Sequence, residues 1–146
     1  DSSAEQMVFV SSLSGIKDSM LFFATKTGML KQVAGTEFDV SKRTIAATKL
    51  GEGDRLVLVQ IADPMEYVVL QTKNGLFLRF MKEEVPDKKK TAIGVRGIRL
   101  AEDDEVEHAY LLESRTDYTA VYKEKSVALN RLKLAKRDTK GTKIRI

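Results

Sequence analysis

The feature that most constrains the fold is an internal repeat. Thr25-Lys26-Thr27-Gly28 recurs as Thr72-Lys73-Asn74-Gly75, an offset of 47, and at the same offset Glu37 maps to Glu84, Lys42 to Lys89 and Thr44 to Thr91. After Thr91 the second copy carries three extra residues, and at the resulting offset of 50 Leu50, Glu52 and Asp54 map to Leu100, Glu102 and Asp104. A third copy is fainter. Tyr118–Tyr122 stands where Tyr67–Gln71 stood, Ile144-Arg145-Ile146 echoes Ile98-Arg99-Leu100, and Lys123-Glu124-Lys125-Ser126 takes the place of the turn glycine. Units of about 40–50 residues belong to propeller-like arrays, in which one unit cannot bury its apolar face alone. The 146 residues therefore read as a single region of three blades, approximately 1–54, 55–105 and 106–146.

Each unit reads as strands, so the expected class is all-β. Val8–Ser12, Met20–Thr25 and Met29–Val33 belong to the first, Leu56–Ile61, Tyr67–Thr72 and Leu76–Phe80 to the second, and Val106–Leu112, Tyr118–Tyr122 and Val127–Leu129 to the third. They are short, rich in β-branched and aromatic residues, and bounded by polar or glycine-containing turns. Asn74-Gly75 between two such runs is a strong hairpin signal and predicts positive φ at both residues; Thr27-Gly28 is the weaker equivalent. A last run in each unit, Thr44–Leu50, Ile93–Leu100 and Lys143–Ile146, reads as a further strand, giving about four per blade. Short helical turns are expected near Gly35–Phe38 and Lys82–Val85.

Charge is segregated on this repeat. Ser41–Lys49, Asp87–Arg99 and Lys133–Arg145 join the hairpins to the last strands; together they hold 14 of the 25 Lys and Arg residues and two of the 21 acids, a net of +12. The chain's formal +4 thus leaves −8 on everything else. Equivalent loops of stacked or fanned repeats fall on one rim, so the three runs are expected to form one basic track on an acidic body. A polyanion-binding surface needs that distribution. The track is nearly free of aromatic residues, which disfavours stacking on single strands and favours duplex.

Other chemistry is excluded or weak. The absence of Cys removes disulfides, thiolate metal sites and cysteine nucleophiles, and a single His, His108, leaves little room for a His-based triad or a His-rich zinc site. Glu102-Asp103-Asp104-Glu105 reads as a solvated acidic turn, equivalent to Glu52-Gly53-Asp54, and no metal or cofactor is expected. Tyr67, Tyr110, Tyr118 and Tyr122 read as core or rim aromatics rather than strand-breaking nucleophiles. Gly94-Val95-Arg96-Gly97 lacks the spacing and following helix of a phosphate loop and is expected to let a rim strand approach its neighbour closely. Apolar runs such as Leu56–Val59 and Tyr67–Leu70 fall far short of the about 20 residues needed to span a bilayer, and no membrane association is expected.

Thr91-Ala92-Ile93-Gly94-Val95-Arg96-Gly97-Ile98-Arg99-Leu100 resembles the blade motif of the carboxy-terminal domain of the A subunits of bacterial gyrase and topoisomerase IV. Thr72-Lys73-Asn74-Gly75-Leu76, the Glu84 region and the acidic Ala101–Glu105 turn fit the same blade. Phe23–Lys31 with Ser41-Lys42-Arg43-Thr44 resembles a second. The resemblance covers Met20–Glu105 and weakens beyond Glu113. It implies a β-pinwheel, whose four-stranded blades exchange strands with their neighbours, and a fragment of a five- or six-bladed domain. It implies a non-catalytic module of an ATP-dependent type IIA topoisomerase, an isomerase of bacterial cytoplasm and nucleoid, that bends or wraps duplex DNA. Its partners would be the ATPase B subunit together with the rest of its own polypeptide. Carried over by position, the DNA-binding residues would be Lys42, Arg43, Lys49, Lys88, Lys89, Lys90, Arg96, Arg99, Lys136, Arg137, Lys140, Lys143 and Arg145. The Gln-Arg-Arg-Gly-Gly-X-Gly box of gyrase has no match in the chain, which points to a topoisomerase IV-like bender or a gyrase segment without the box blade. The alternatives are a propeller-like scaffold that binds an acidic protein partner and a small RNA-binding module; exposed sheet aromatics would mark the latter.

Overall fold

A computed structural model describes residues 20–34, 53–88 and 92–143, together with the backbone of 5–8 and 45–49. Among these residues twelve strands follow in chain order: β1 Glu5–Val8, β2 Met20–Thr25, β3 Met29–Ala34, β4 Ile45–Lys49, β5 Leu56–Ile61, β6 Tyr67–Thr72, β7 Leu76–Met81, β8 Val95–Arg96, β9 Val106–Leu112, β10 Thr119–Tyr122, β11 Lys125–Ala128 and β12 Thr142–Lys143. Short 3-10 turns follow β7 and β11, at Lys82–Glu84 and Leu129–Arg131. The first is the expected turn near Lys82–Val85. The run expected at Gly35–Phe38 lies outside the described residues, as do 9–12 and 144–146.

The all-β expectation holds, and the pairing shows how the units interlock. One sheet has the order β5-β2-β3-β8 and another β9-β6-β7-β12, all neighbours antiparallel. In each, a hairpin from one unit is flanked on both sides by strands from the next. β10 and β11 form a two-stranded hairpin, and β1 pairs with β4. The last strand of the second unit is shorter than the sequence suggests: Ile93–Leu100 contributes only Val95–Arg96, followed by a single bridge between Ile98 and Thr139.

Apolar side chains on both faces of the hairpins explain the packing. Phe22, Ala24, Leu30, Val68, Leu70, Leu78, Phe80 and Ile98 form a buried core between the two four-stranded sheets. Val69, Phe77, Leu112, Tyr122, Val127 and Leu129 form a second between β6–β7 and β10–β11. A hairpin buried on both faces reads as a near-continuous apolar run, as Tyr67–Leu70 does. At about 25 cal/mol per Å² of buried apolar surface, these two interfaces hold the units together.

The turns differ from expectation in one respect. Gly28 and Gly75 have φ of +88° and +91°, but Asn74 has no positive φ. Each turn is a four-residue loop in which the glycine N–H donates to the Thr25 or Thr72 carbonyl at 3.0 Å. The threonine hydroxyl then accepts the N–H of Met29 (3.1 Å) or Leu76 (3.0 Å). Only the last position of such a loop needs the left-handed region, which glycine enters at little cost. Lys123 and Glu124, in the third hairpin, both take left-handed conformations, with φ of 49° and 69°. Tyr122 pairs with Lys125 across that two-residue turn.

Each glycine turn is also capped from the end of its own unit. Asp54 accepts the Thr27 N–H (3.0 Å) and the Thr27 hydroxyl (2.6 Å), while Asp104 accepts the Asn74 N–H at 3.0 Å. The solvated-turn reading of Glu102–Glu105 is thereby amended, because Asp104 is half-buried and holds the preceding hairpin. Among the described residues no three His, Cys, Asp or Glu side chains are grouped to hold a metal ion, and no helix is long and apolar enough to cross a membrane.

Candidate nucleic-acid interface

β8 and β12 form the outer edges of the two four-stranded sheets, and they carry basic residues. Arg96 pairs opposite Met29, and Lys143 opposite Leu76. Gly94 (φ +108°) permits this close approach: a Cβ there would run into the Leu30 carbonyl oxygen. The expected role for the Gly94–Gly97 stretch is therefore what the backbone shows.

The second and third basic segments run side by side. The Gly97 N–H donates to the Gly28 carbonyl at 2.7 Å, Asp138 N–H to the Gly97 carbonyl at 2.8 Å, and Arg99 N–H to the Thr139 carbonyl at 2.9 Å. Lys88, Lys136, Lys140 and Lys143 are exposed, and the side chains of Arg96 and Arg99 are 59% and 62% exposed. Lys42, Arg43, Lys89, Lys90 and Arg145 lie outside the described residues, as does the side chain of Lys49, which ends β4.

Arg137 is placed differently from the other basic residues. Its Nε donates to the Glu84 carbonyl at 2.9 Å and its Nη1 to the Arg96 carbonyl at 2.7 Å, while its own N–H donates to the Glu84 carboxylate at 2.8 Å. Part of its guanidinium is thus spent on joining one segment to the other. Asp138 is the acid at the centre of this junction. Arg96 Nε and Nη2 donate to its two carboxylate oxygens at 2.6 and 3.3 Å, and Arg99 Nε lies 3.7 Å away. The Arg96 hydrogen bond, with the charges of Arg96, Arg99 and Arg137, holds the Asp138 carboxyl below the usual aspartate range against the opposing effect of burial. The Arg96 guanidinium is correspondingly pushed up by Asp138. In the sequence Asp138 is simply one of the two acids within the three basic segments. Its isolation among cations was the available signal.

The tyrosines are occupied structurally. Tyr122 meets Phe77 edge-on at 6.3 Å, Tyr110 donates to Gln71 Oε1 at 2.7 Å, the Tyr118 hydroxyl accepts the Glu113 N–H at 3.3 Å, and the Arg79 guanidinium stacks 4.3 Å over Tyr67. Burial pushes the Tyr110 hydroxyl pKa up, away from a nucleophile's needs. His108 is exposed and lines an open cleft of about 470 Å³ between β5 and β9, with Lys26, Arg55, Glu105 and Glu107.

Comparison with known proteins agrees with this architecture. The family described as DNA gyrase C-terminal domain, beta-propeller, matches residues 19–63 and 66–113. The gyrase A protein of Lawsonia intracellularis is 32% identical over 105 residues, covering 71% of this chain and 13% of that protein. Its Staphylococcus aureus counterpart is 30% identical over 133 residues, covering 87% of this chain and 15% of its own length. The chain thus spans a small part of the curated relatives it matches. A crystal structure of the C-terminal domain of DNA topoisomerase IV superposes with a TM-score of 0.75 at 26% identity, over 86% of this chain and 41% of that one. The E. coli ParC C-terminal domain, at 18% identity and a TM-score of 0.70, over 88% of this chain and 57% of that one, shares the fold. The matched stretches make up more than half of the sequence, and the chain belongs to the DNA gyrase C-terminal domain family, as a β-pinwheel segment of it.

Proposed function

We propose that the chain binds and bends duplex DNA along the outer edges of its sheets, as a non-catalytic part of the gyrase A or topoisomerase IV A polypeptide of a type IIA topoisomerase. The single observation that carries this reading is that the second and third basic segments meet at Gly97–Arg99 and Asp138–Thr139, with Arg96, Arg99, Lys136, Lys140 and Lys143 exposed on or near the joined stretches. Lysine and arginine at phosphates release counterions and bind without reading sequence. Bending a 20–30 base-pair segment costs on the order of 1–6 kcal/mol, which several such contacts offset. Lys88, Lys89 and Lys90 extend the track, and Lys42, Arg43, Lys49 and Arg145 complete it. The remainder of the polypeptide supplies the strand-breaking chemistry, the B subunit hydrolyses ATP, and the whole acts in the bacterial cytoplasm.

Fluorescence anisotropy with linear duplex and gel shifts with DNA minicircles test the reading. Affinity should fall steeply with salt, the log–log slope steepening by roughly 0.9 per phosphate contact, with little sequence preference and a preference for the bent circle. Reversal of Lys88, Lys89 and Lys90 to Glu should abolish binding without changing the circular dichroism. A salt-independent affinity, or full binding by that variant, would overturn it.

A further inference from the structure

We infer that Asp138 is a built-in competitor for DNA phosphate: its carboxylate occupies Arg96 and Arg99 in the free chain, and duplex must displace it to engage them. The inference rests on the DNA-binding reading above and adds a residue that weakens, rather than makes, the contact.

Both arginines are more than half exposed at the side chain, yet both turn to one carboxylate. The Arg96 contact is two-pronged, at 2.6 and 3.3 Å, the fork geometry with which guanidinium also meets a phosphate. A phosphate that takes this fork takes the place of the carboxylate oxygens. The backbone is held independently: the Asp138 N–H donates to the Gly97 carbonyl, and Arg137 ties the segment to Glu84 and Arg96 through carbonyls and one carboxylate. The side chain of Asp138 is therefore free to lose its partners without loss of the junction. The other acid of the basic segments, Asp87, is exposed and makes no such contact with an arginine among the described residues, so it provides a matched control of equal charge.

Asp138→Asn keeps size and shape and tolerates the left-handed backbone (φ 66°). DNA binding of the 146-residue chain is measured by anisotropy across salt for the wild type, Asp138→Asn, Asp87→Asn and Asp138→Asn in an Arg96→Ala/Arg99→Ala background. Asp138→Asn should bind roughly threefold or more tightly at low salt, with a log–log slope steeper by about 1 to 2, one increment per arginine released. Asp87→Asn should show a clearly smaller gain, and the gain from Asp138→Asn should vanish in the double-alanine background. Equal gains from both neutralisations, or none from Asp138→Asn while the wild type still binds, would overturn the inference and leave the DNA-binding reading standing. A wild type that does not bind duplex would overturn the reading itself. Thermal unfolding of each variant distinguishes a lost junction from a released arginine pair.

Discussion

The hairpins β6–β7 and β10–β11 follow one plan with opposite turn chemistry. The first closes through Thr72-Lys73-Asn74-Gly75, has flanking strands on both sides, and lies under the next unit: a Cβ on Gly75 would sit 2.6 Å from the Tyr122 hydroxyl. The second closes through Lys123 and Glu124, both exposed, and both in a region where ordinary side chains are strained. Glycine at the first turn therefore answers two demands, backbone conformation and room for a neighbour. The second turn faces only the conformational demand and meets it with strain of about 1–2 kcal/mol per residue.

The comparison can be broken most sharply at Gly75. Gly75→Ala adds left-handed strain and forces the Tyr122 ring away, and should cost about 3 kcal/mol, read as a shift in the urea unfolding midpoint. A loss below about 1 kcal/mol would mean that Tyr122 yields freely. The caps come next. Asp54→Ala removes an acceptor for three donors, the Thr27 N–H, the Thr27 hydroxyl and the Arg55 N–H, and should cost about 2–3 kcal/mol. Asp104→Ala should cost about 1 kcal/mol, because Asp104 serves only the Asn74 and Glu105 N–H groups and its second carboxylate oxygen is buried without a partner. Equal losses would contradict the accounting. The smallest effect has the opposite sign: Glu124→Gly should stabilise the chain by about 0.5–1 kcal/mol in the same urea measurement, since relief of strain exceeds the added entropy of the unfolded glycine.

Most strands were legible because alternation, aromatic content and turn residues act locally; β2, β5, β6 and β9 have the bounds that the sequence suggests. The hairpin pairings were legible from the turn residues, but which strands flank each hairpin was not, since the outer neighbours of β2 and β3 come from the next unit and no local pattern marks them. The resemblance supplied strand exchange, and the register gives its residues. Asn74-Gly75 misled about the turn because the Thr72 hydroxyl and Asp104 stabilise a longer loop, and both act from outside the dipeptide. The basic residues of the outer edges were legible as charge. The diversion of Arg137 to carbonyls, and of Arg96 to Asp138, depends on two distant segments meeting, which composition does not encode.

Strand exchange also sets a timetable. As the chain emerges from the ribosome, β2 and β3 can close as a hairpin at once, but β5 and then Val95–Arg96 must be synthesised before that sheet is complete. Each hairpin accordingly waits with open edges for most of a unit's translation, and open edges are where chains pair wrongly. A short last strand of two residues, Val95–Arg96, held by a glycine and a handful of backbone hydrogen bonds, keeps the latest step of the first four-stranded sheet small and makes its final closure the easiest one to reverse.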